Sequence, residues 1–140
     1  MAKPFSIIGL AVFLAAPAAA APLALDCTAQ RACVADLDAA CETIGIIYAL
    51  DVGADEGDKV VLTTGEGERF YEFRRLAGAE GVLLQAAGGA LEPGQGAGAM
   101  TVFDDLRFVL SRHNRIALSE EDDDLRAVSI SIHGTCAARQ

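Results

Sequence analysis

Ile44-Gly45-Ile46-Ile47-Tyr48-Ala49-Leu50-Asp51-Val52 is the stretch that decides the fold class. Ile44, Ile46, Tyr48, Leu50 and Val52 fall on one side of a two-residue repeat, and Gly45, Ile47, Ala49 and Asp51 fall on the other. Only an extended chain turns that spacing into a single apolar face, because successive side chains of a strand point to opposite sides of the sheet. The stretch therefore reads as a long β-strand. Beyond it, Gly53 to Asp58 is rich in Gly and Asp, as turns are, and Val60, Val61 and Leu62 with Thr63 and Thr64 form a β-branched run. A hairpin is predicted.

The same reading extends along the chain. Arg69 to Arg75, carrying Phe70, Tyr71 and Phe73, predicts a strand, and Val82 to Gln85 predicts a short one. Gly88 to Gly98 holds five glycines and Pro93, a composition that predicts an exposed, mobile loop. Met100 to Phe103 and Leu106 to Arg112 flank Asp104 and Asp105; a two-residue connection would put Phe103, Leu106, Phe108 and Leu110 on one face. Val128, Ile130 and Ile132 alternate with Ser129, Ser131 and His133, the sharpest half-buried pattern in the sequence, closed by Gly134 and Cys136. Helical spacing occurs only between Ala32 and Cys41, through Val34, Leu37 and Cys41, and the short interval between cysteines there works against a helix. No repeat of fixed period is present. About six to eight short strands with turns between them predict an all-β fold, an antiparallel meander curled into a small barrel or folded as a sandwich. Closure is favoured, since a barrel leaves no exposed edge strand.

The N-terminal stretch reads as a secretory signal peptide over residues 1–20. Lys3 supplies the positive region and Phe5 to Ala16 the apolar one, and Pro17 is followed by the small residues Ala18, Ala19 and Ala20. The apolar run is shorter than the ~20 residues that a membrane helix needs. Cleavage is expected after Ala20, and no Cys follows it directly, which argues against a lipid anchor. Residues 21–140 are then a single disulfide-stapled domain, with a periplasmic or secreted location. The sequence holds eleven Lys and Arg against twenty Asp and Glu, for a net charge of −9, and loss of Lys3 makes it more negative still. Such a surface repels phosphate backbones and anionic lipid heads, so no nucleic acid and no membrane partner is expected after signal cleavage.

All four cysteines, Cys27, Cys33, Cys41 and Cys136, lie beyond the leader. An even count in a small exported domain predicts two disulfides, and three connectivities are open. Cys33 with Cys41 and Cys27 with Cys136 is the favoured set, because it makes one short local loop and one bridge tying the ends of the domain together. The spacings do not form the Cys-x-x-Cys of a zinc knuckle or a thioredoxin-like pair, and no metal ligand set is predicted.

The exported leader, the Cys27-Thr28 pair, Cys33 and Cys41, the strand hairpin leading to Phe108 and Ser111-Arg112-His113, and the closing Gly134-Thr135-Cys136 together resemble a group of uncharacterised small exported four-cysteine bacterial proteins. That resemblance implies a scaffold and no activity. Gly65-Glu66-Gly67-Glu68-Arg69-Phe70-Tyr71 is similar to the Gly-rich, Arg-aromatic loop that periplasmic lysozyme inhibitors insert into a basic enzyme, although the Ser residues of that loop are missing here. It implies a partner-binding loop of Glu66, Glu68, Arg69 and Tyr71.

Signals for chemistry are few. No Gly-x-Ser-x-Gly element exists for a nucleophilic serine, and the cysteines are expected to be oxidised. Ser111 and His113, two apart on a strand, stand side by side as such pairs commonly do. Glu120 to Asp124 and the trio Asp51, Asp55 and Asp58 carry calcium-type oxygens but lack the ligand alternation of a calcium loop, so solvated turns are expected. Gly88 to Gly98 has no Lys followed by Ser or Thr and is no phosphate cradle. No cofactor and no catalytic residue is predicted. The expectation is a non-enzymatic binding module for an unknown protein or small ligand; an inhibitor of a basic cell-wall hydrolase and an enzyme with an unrecognised carboxylate site are the alternatives.

Overall fold

A computed structural model describes residues 21–35, 41–65, 70–90, 96–117 and 125–140. The chain runs through β1 (Leu23–Ala35), β2 (Cys41–Val52), β3 (Lys59–Thr64), β4 (Phe70–Arg75), β5 (Val82–Ala90), β6 (Ala97–Phe103), β7 (Arg107–Ile116) and β8 (Arg126–Ala138). Each strand pairs antiparallel with the next, and β8 returns to β1, so the eight strands close into an up-and-down barrel. Sequence left barrel and sandwich open; the register Cys27↔Cys136 and Leu25↔Ala138 decides for the barrel. Both predicted disulfides are present, Cys27–Cys136 and Cys33–Cys41. They suit an oxidising environment outside the cytoplasm.

Alternation places one row of every strand inside. Leu25, Leu50, Val60, Leu62, Phe73, Leu84, Met100, Val102, Phe108 and Leu110 fill the lumen, all nearly or fully buried. Burying a Leu or Phe side chain is worth roughly 1.5–3 kcal/mol relative to exposure, so this row is the main source of stability. A barrel of this strand number is just wide enough for its own side chains or for one small ligand. The opposite row carries charges, Asp26, Asp51, Lys59, Glu72, Arg74 and Arg107, among apolar residues such as Ile47, and Glu72 accepts from both Lys59 and Arg74 at 3.1 Å.

The two ends differ. At the base lie the start of β1, the end of β8 and the connections 53–58, 76–81 and 104–106, stitched to neighbouring strands: Arg75 Nη1 donates to the carbonyls of Gly53 and Ala54, at 2.7 and 2.9 Å, and Arg139 reaches Asp26 and Asp51, both at 2.9 Å. At the rim the strands of one wall run farther: β1, β2 and β8 have 13, 12 and 13 residues, whereas β3 and β4 have 6 each. The described parts of β1, β2 and β8 thus extend farther toward the rim than that of β3.

Two expectations are corrected. Gly88 to Gly98 is not one exposed loop, because β5 continues through Gly88–Ala90 and β6 begins at Ala97; glycine has no side chain to keep neighbouring strands apart, and the two runs pair Gly88↔Gly98 and Gly89↔Ala97. Residues 91–95 lie outside the described residues. Between Ala32 and Cys41, where the cysteine interval argued against a helix, β1 runs to Ala35 and β2 starts at Cys41; 36–40 lie outside the described residues. Finally, the inward row of the β6-β7 hairpin is Met100, Val102, Phe108 and Leu110, without Phe103 and Leu106. Leu106 takes a left-handed φ of 64° and adds a third residue to the connection, which shifts the alternation and leaves Phe103 37% exposed.

Candidate binding end of the barrel

On β7 the inward row runs Phe108, Leu110, Arg112, placing a cation where alternation demands an apolar side chain. The neighbours explain how it fits. Arg112 pairs with Gly98 on β6 and Gly98 with Gly88 on β5, so two adjacent positions of the lumen wall lack side chains. A Cβ on Gly98 would lie 3.4 Å from Arg112 Cγ and would also strike the carbonyl oxygen of Ser111. The glycine strip thus gives the arginine stem its path across the barrel. The guanidinium carbon comes to rest 4.3 Å from the centroid of the Tyr71 ring on β4, a cation-π arrangement. Tyr71 is itself stacked on Phe73, with centroids 6.3 Å apart.

Tyr48 on β2 completes the layer, edge-on to Phe108 at 6.4 Å and 4% exposed. Above it, Ile44, Ala32 and Ile130 are partly buried against the core, and Ile46, on the inward row of β2, is 43% exposed. The layer of Tyr48, Tyr71 and Arg112 therefore separates a filled lower lumen from an apolar rim. Arg112 is half-buried, and its Nε is buried without a hydrogen-bond partner among the described residues. An unmade hydrogen bond of this kind costs about 1–3 kcal/mol, more for a charged group.

Electrostatics at this layer are set by burial and by the arginine. Burial pushes the Tyr48 phenol above its ordinary value, the Arg112 charge pulls it back, and Tyr71 adds to the rise. Two consequences can be measured by ultraviolet titration of phenolate. Tyr48 is expected to ionise above the ordinary tyrosine range of about 10, and Arg112→Met to move it higher still, because the opposing charge is gone. An acid whose folded pKa is raised holds its proton more tightly when folded. Its contribution to stability is full below the unfolded pKa of about 10 and is lost as pH rises through the folded value. A Tyr48 that ionises at the value of free tyrosine would show that the phenol is not buried.

Charge is unevenly spread. The described residues of β7 and of 125–140 carry Arg107, Arg112, Arg115, Arg126 and Arg139 with His113 and His133, and no Asp or Glu. An otherwise acidic chain thus has one basic wall, and Arg112 stands on its inner side. Outside that wall a shallow groove of about 390 Å³ is lined by Phe103, Arg107, Val109, His133 and Thr135, with Gln30 at the bulge of β1. Arg107 there already holds Asp105 at 2.6 Å, so the groove offers no unmatched charge of its own.

Of the loop expected to bind a partner, Glu66, Glu68 and Arg69 lie outside the described residues, and Tyr71 is inward, 3% exposed, beneath Arg112. Ser111 and His113 sit on the outer face of β7, opposite Ser131 and Ser129. A different pair meets instead, Ser131 Oγ and His133 Nε2 at 3.2 Å. Asp51 is engaged by Arg139, and Asp58 accepts from the backbone N–H of Asp55 at 2.9 Å, an ordinary turn; Glu120 to Asp124 lie outside the described residues. Among the described residues no three His, Cys, Asp or Glu side chains converge as a metal site would require. Sequence reasoning passed over Arg112; the available signal was a cation on the apolar row of a strand, two residues past Leu110. No family model matches the chain, and no curated protein and no solved structure matches it.

Proposed function

We propose that this protein is a non-enzymatic binding module of the periplasm or the secreted medium, and that it binds through the rim end of the barrel. The observation that carries the reading is the layer of Tyr48, Tyr71 and Arg112, which floors an apolar rim above a lumen already filled by leucine and phenylalanine. A long apolar cargo has no room below that floor. Binding sites commonly combine apolar side chains with a few fixed polar groups, the combination these residues present. The base contributes no comparable feature, since its loops are tied to each other and its arginines are paired.

Amide chemical-shift mapping with a fragment set of neutral, cationic and anionic members tests this. Shifts are expected to gather at Ile44, Ile46, Tyr48, Tyr71, Arg112 and Ile130. Shifts gathered instead at Val109 and His133 on the outer groove, or none with any fragment, would refute rim binding.

The second reading is inhibition of a basic cell-wall hydrolase. It is favoured by topology: the ends of β3 and β4 at Thr64 and Phe70 point the intervening connection to the same rim. In a lysozyme turbidity assay the intact protein would slow the enzyme and a deletion of 65–69 would not. Unchanged lysozyme activity with the intact protein removes this reading.

A further inference from the structure

We infer that Arg112 is the anchor for a small ligand bearing a carboxylate and a compact apolar body, taken up at the rim. This rests on the preceding reading of the rim as the binding end and adds the chemical class of what binds there.

The geometry of the guanidinium carries the argument. Its carbon lies over the Tyr71 ring, 4.3 Å from the centroid, so the side chain is held against β4 with its N–H groups as its means of recognition. Of these, Nε is buried and lacks a partner among the described residues. A carboxylate approaching in the guanidinium plane accepts from two N–H groups at once, a bidentate match that a single lysine ammonium cannot give. The contact with Tyr71 holds the guanidinium in place before the ligand arrives, so little side-chain freedom is lost on binding.

The surroundings favour an anion over a neutral acceptor. Arg112 belongs to the wall whose described residues include no carboxylate, so its charge is not cancelled from its own strand or from β8. Tyr48, in the same layer, is held as the neutral phenol and can donate a hydrogen bond. The size of the ligand follows from the packing. Below the layer Phe73, Phe108, Met100 and Leu110 are 1% exposed, so among the described residues it is the partly exposed Ile44, Ile46 and Ile130 that an apolar body would meet.

The test uses three probes on the whole oxidised domain: 3-methylbutanoate, its neutral amide 3-methylbutanamide, and inorganic phosphate. Binding is read by calorimetry and by tyrosine fluorescence, which reports on this layer alone because Tyr48 and Tyr71 are the two tyrosines and the chain has no tryptophan. The carboxylate is expected to bind about tenfold or more tighter than the amide, the margin of a charge-assisted pair of hydrogen bonds. Arg112→Met should bring the carboxylate down to the level of the amide, and Arg112→Lys should fall between, having the charge without the fork. Thermal melting of both variants shows whether the barrel survives, and Arg112→Lys keeps the question answerable if Arg112→Met does not fold.

Equal binding of carboxylate and amide, or carboxylate binding that Arg112→Met leaves unchanged, overturns the inference. So does phosphate binding in place of the carboxylate. If the amide binds as well as the acid and perturbs the tyrosine signal, the rim stands as the binding end and only the anion assignment falls. If the probes bind with no tyrosine response, both fall together.

Discussion

Replacing Cys27 and Cys136 together by alanine is expected to lower stability by about 4–5 kcal/mol and the melting temperature by about 15–25 °C. The expectation rests on where this bridge sits. Cys27 and Cys136 are direct partners across β1 and β8, the pairing that closes the barrel, and they are separated by 109 residues of sequence. Every other strand pairing joins neighbours along the chain; only this seam asks β1 and β8 to find each other. Cross-linking them removes the loop-closure entropy of nearly the whole domain from the unfolded state, which the chain-entropy model values at about 4.7 kcal/mol for a loop of that order. Domains of this size are commonly stable by only 5–15 kcal/mol, so the loss is a large share of the total.

The second bridge supplies an internal control. Cys33 and Cys41 close a separation of only 8 residues at the rim, where Cys41 is exposed, and the same model gives roughly 2–3 kcal/mol. Urea unfolding of the two double variants, without reductant, should rank the seam bridge as the costlier loss by about 2 kcal/mol. A seam variant that unfolds at the wild-type urea midpoint, or a rim variant that loses more, would mean that closure of the barrel does not depend on the covalent link.

How far the sequence disclosed this fold depends on which side of each strand is buried. Ile44 to Val52 and Val128 to His133 were legible because one row is apolar and the other is not, and that contrast is what a closed barrel with a dry lumen requires. β1 was harder to read. Its inward residues include Cys27, Ala29 and Ala32, small or ambiguous side chains, and a bulge between Ala29 and Arg31 breaks the alternation midway. The glycines at 88, 89 and 98 misled in the opposite direction: composition reads them as loop, yet in the barrel they are paired strand positions, and Gly98 is the one left empty beside the Arg112 stem. Arg112 was invisible as a site for the same reason. Its meaning comes from a tyrosine on β4 and glycines on β5 and β6, and no local pattern records contacts across a lumen.

Gly134→Ala, an addition of one methyl group, is expected to cost about 3 kcal/mol, with a fall in melting temperature of about 10 °C. Gly134 lies in β8 opposite Phe108 on one side and Ala29 on the other. A Cβ there would meet the carbonyl oxygen of Thr28, the Cε1 of Phe108 at 2.7 Å and the Cα of Ala29 at 2.9 Å. Two of those three atoms are backbone of β1, which cannot swing aside as a side chain can. The glycine is therefore needed for close approach: it lets β1 bend inward beside its bulge and lets the Phe108 ring lie over the bare backbone, where the ring also meets Tyr48. Filling the position must either push β1 from β8 at the seam or displace Phe108 from the centre of the core. Both responses act on the same closing pair of strands that the Cys27–Cys136 bridge holds. A second substitution separates them. Phe108→Leu in the Gly134→Ala background removes the ring but leaves the backbone collision, so it should restore little of the lost stability. Full recovery in that double variant, or a single Gly134→Ala variant that melts within a degree or two of the parent, would show that β1 and β8 are not as close at this point as the barrel requires.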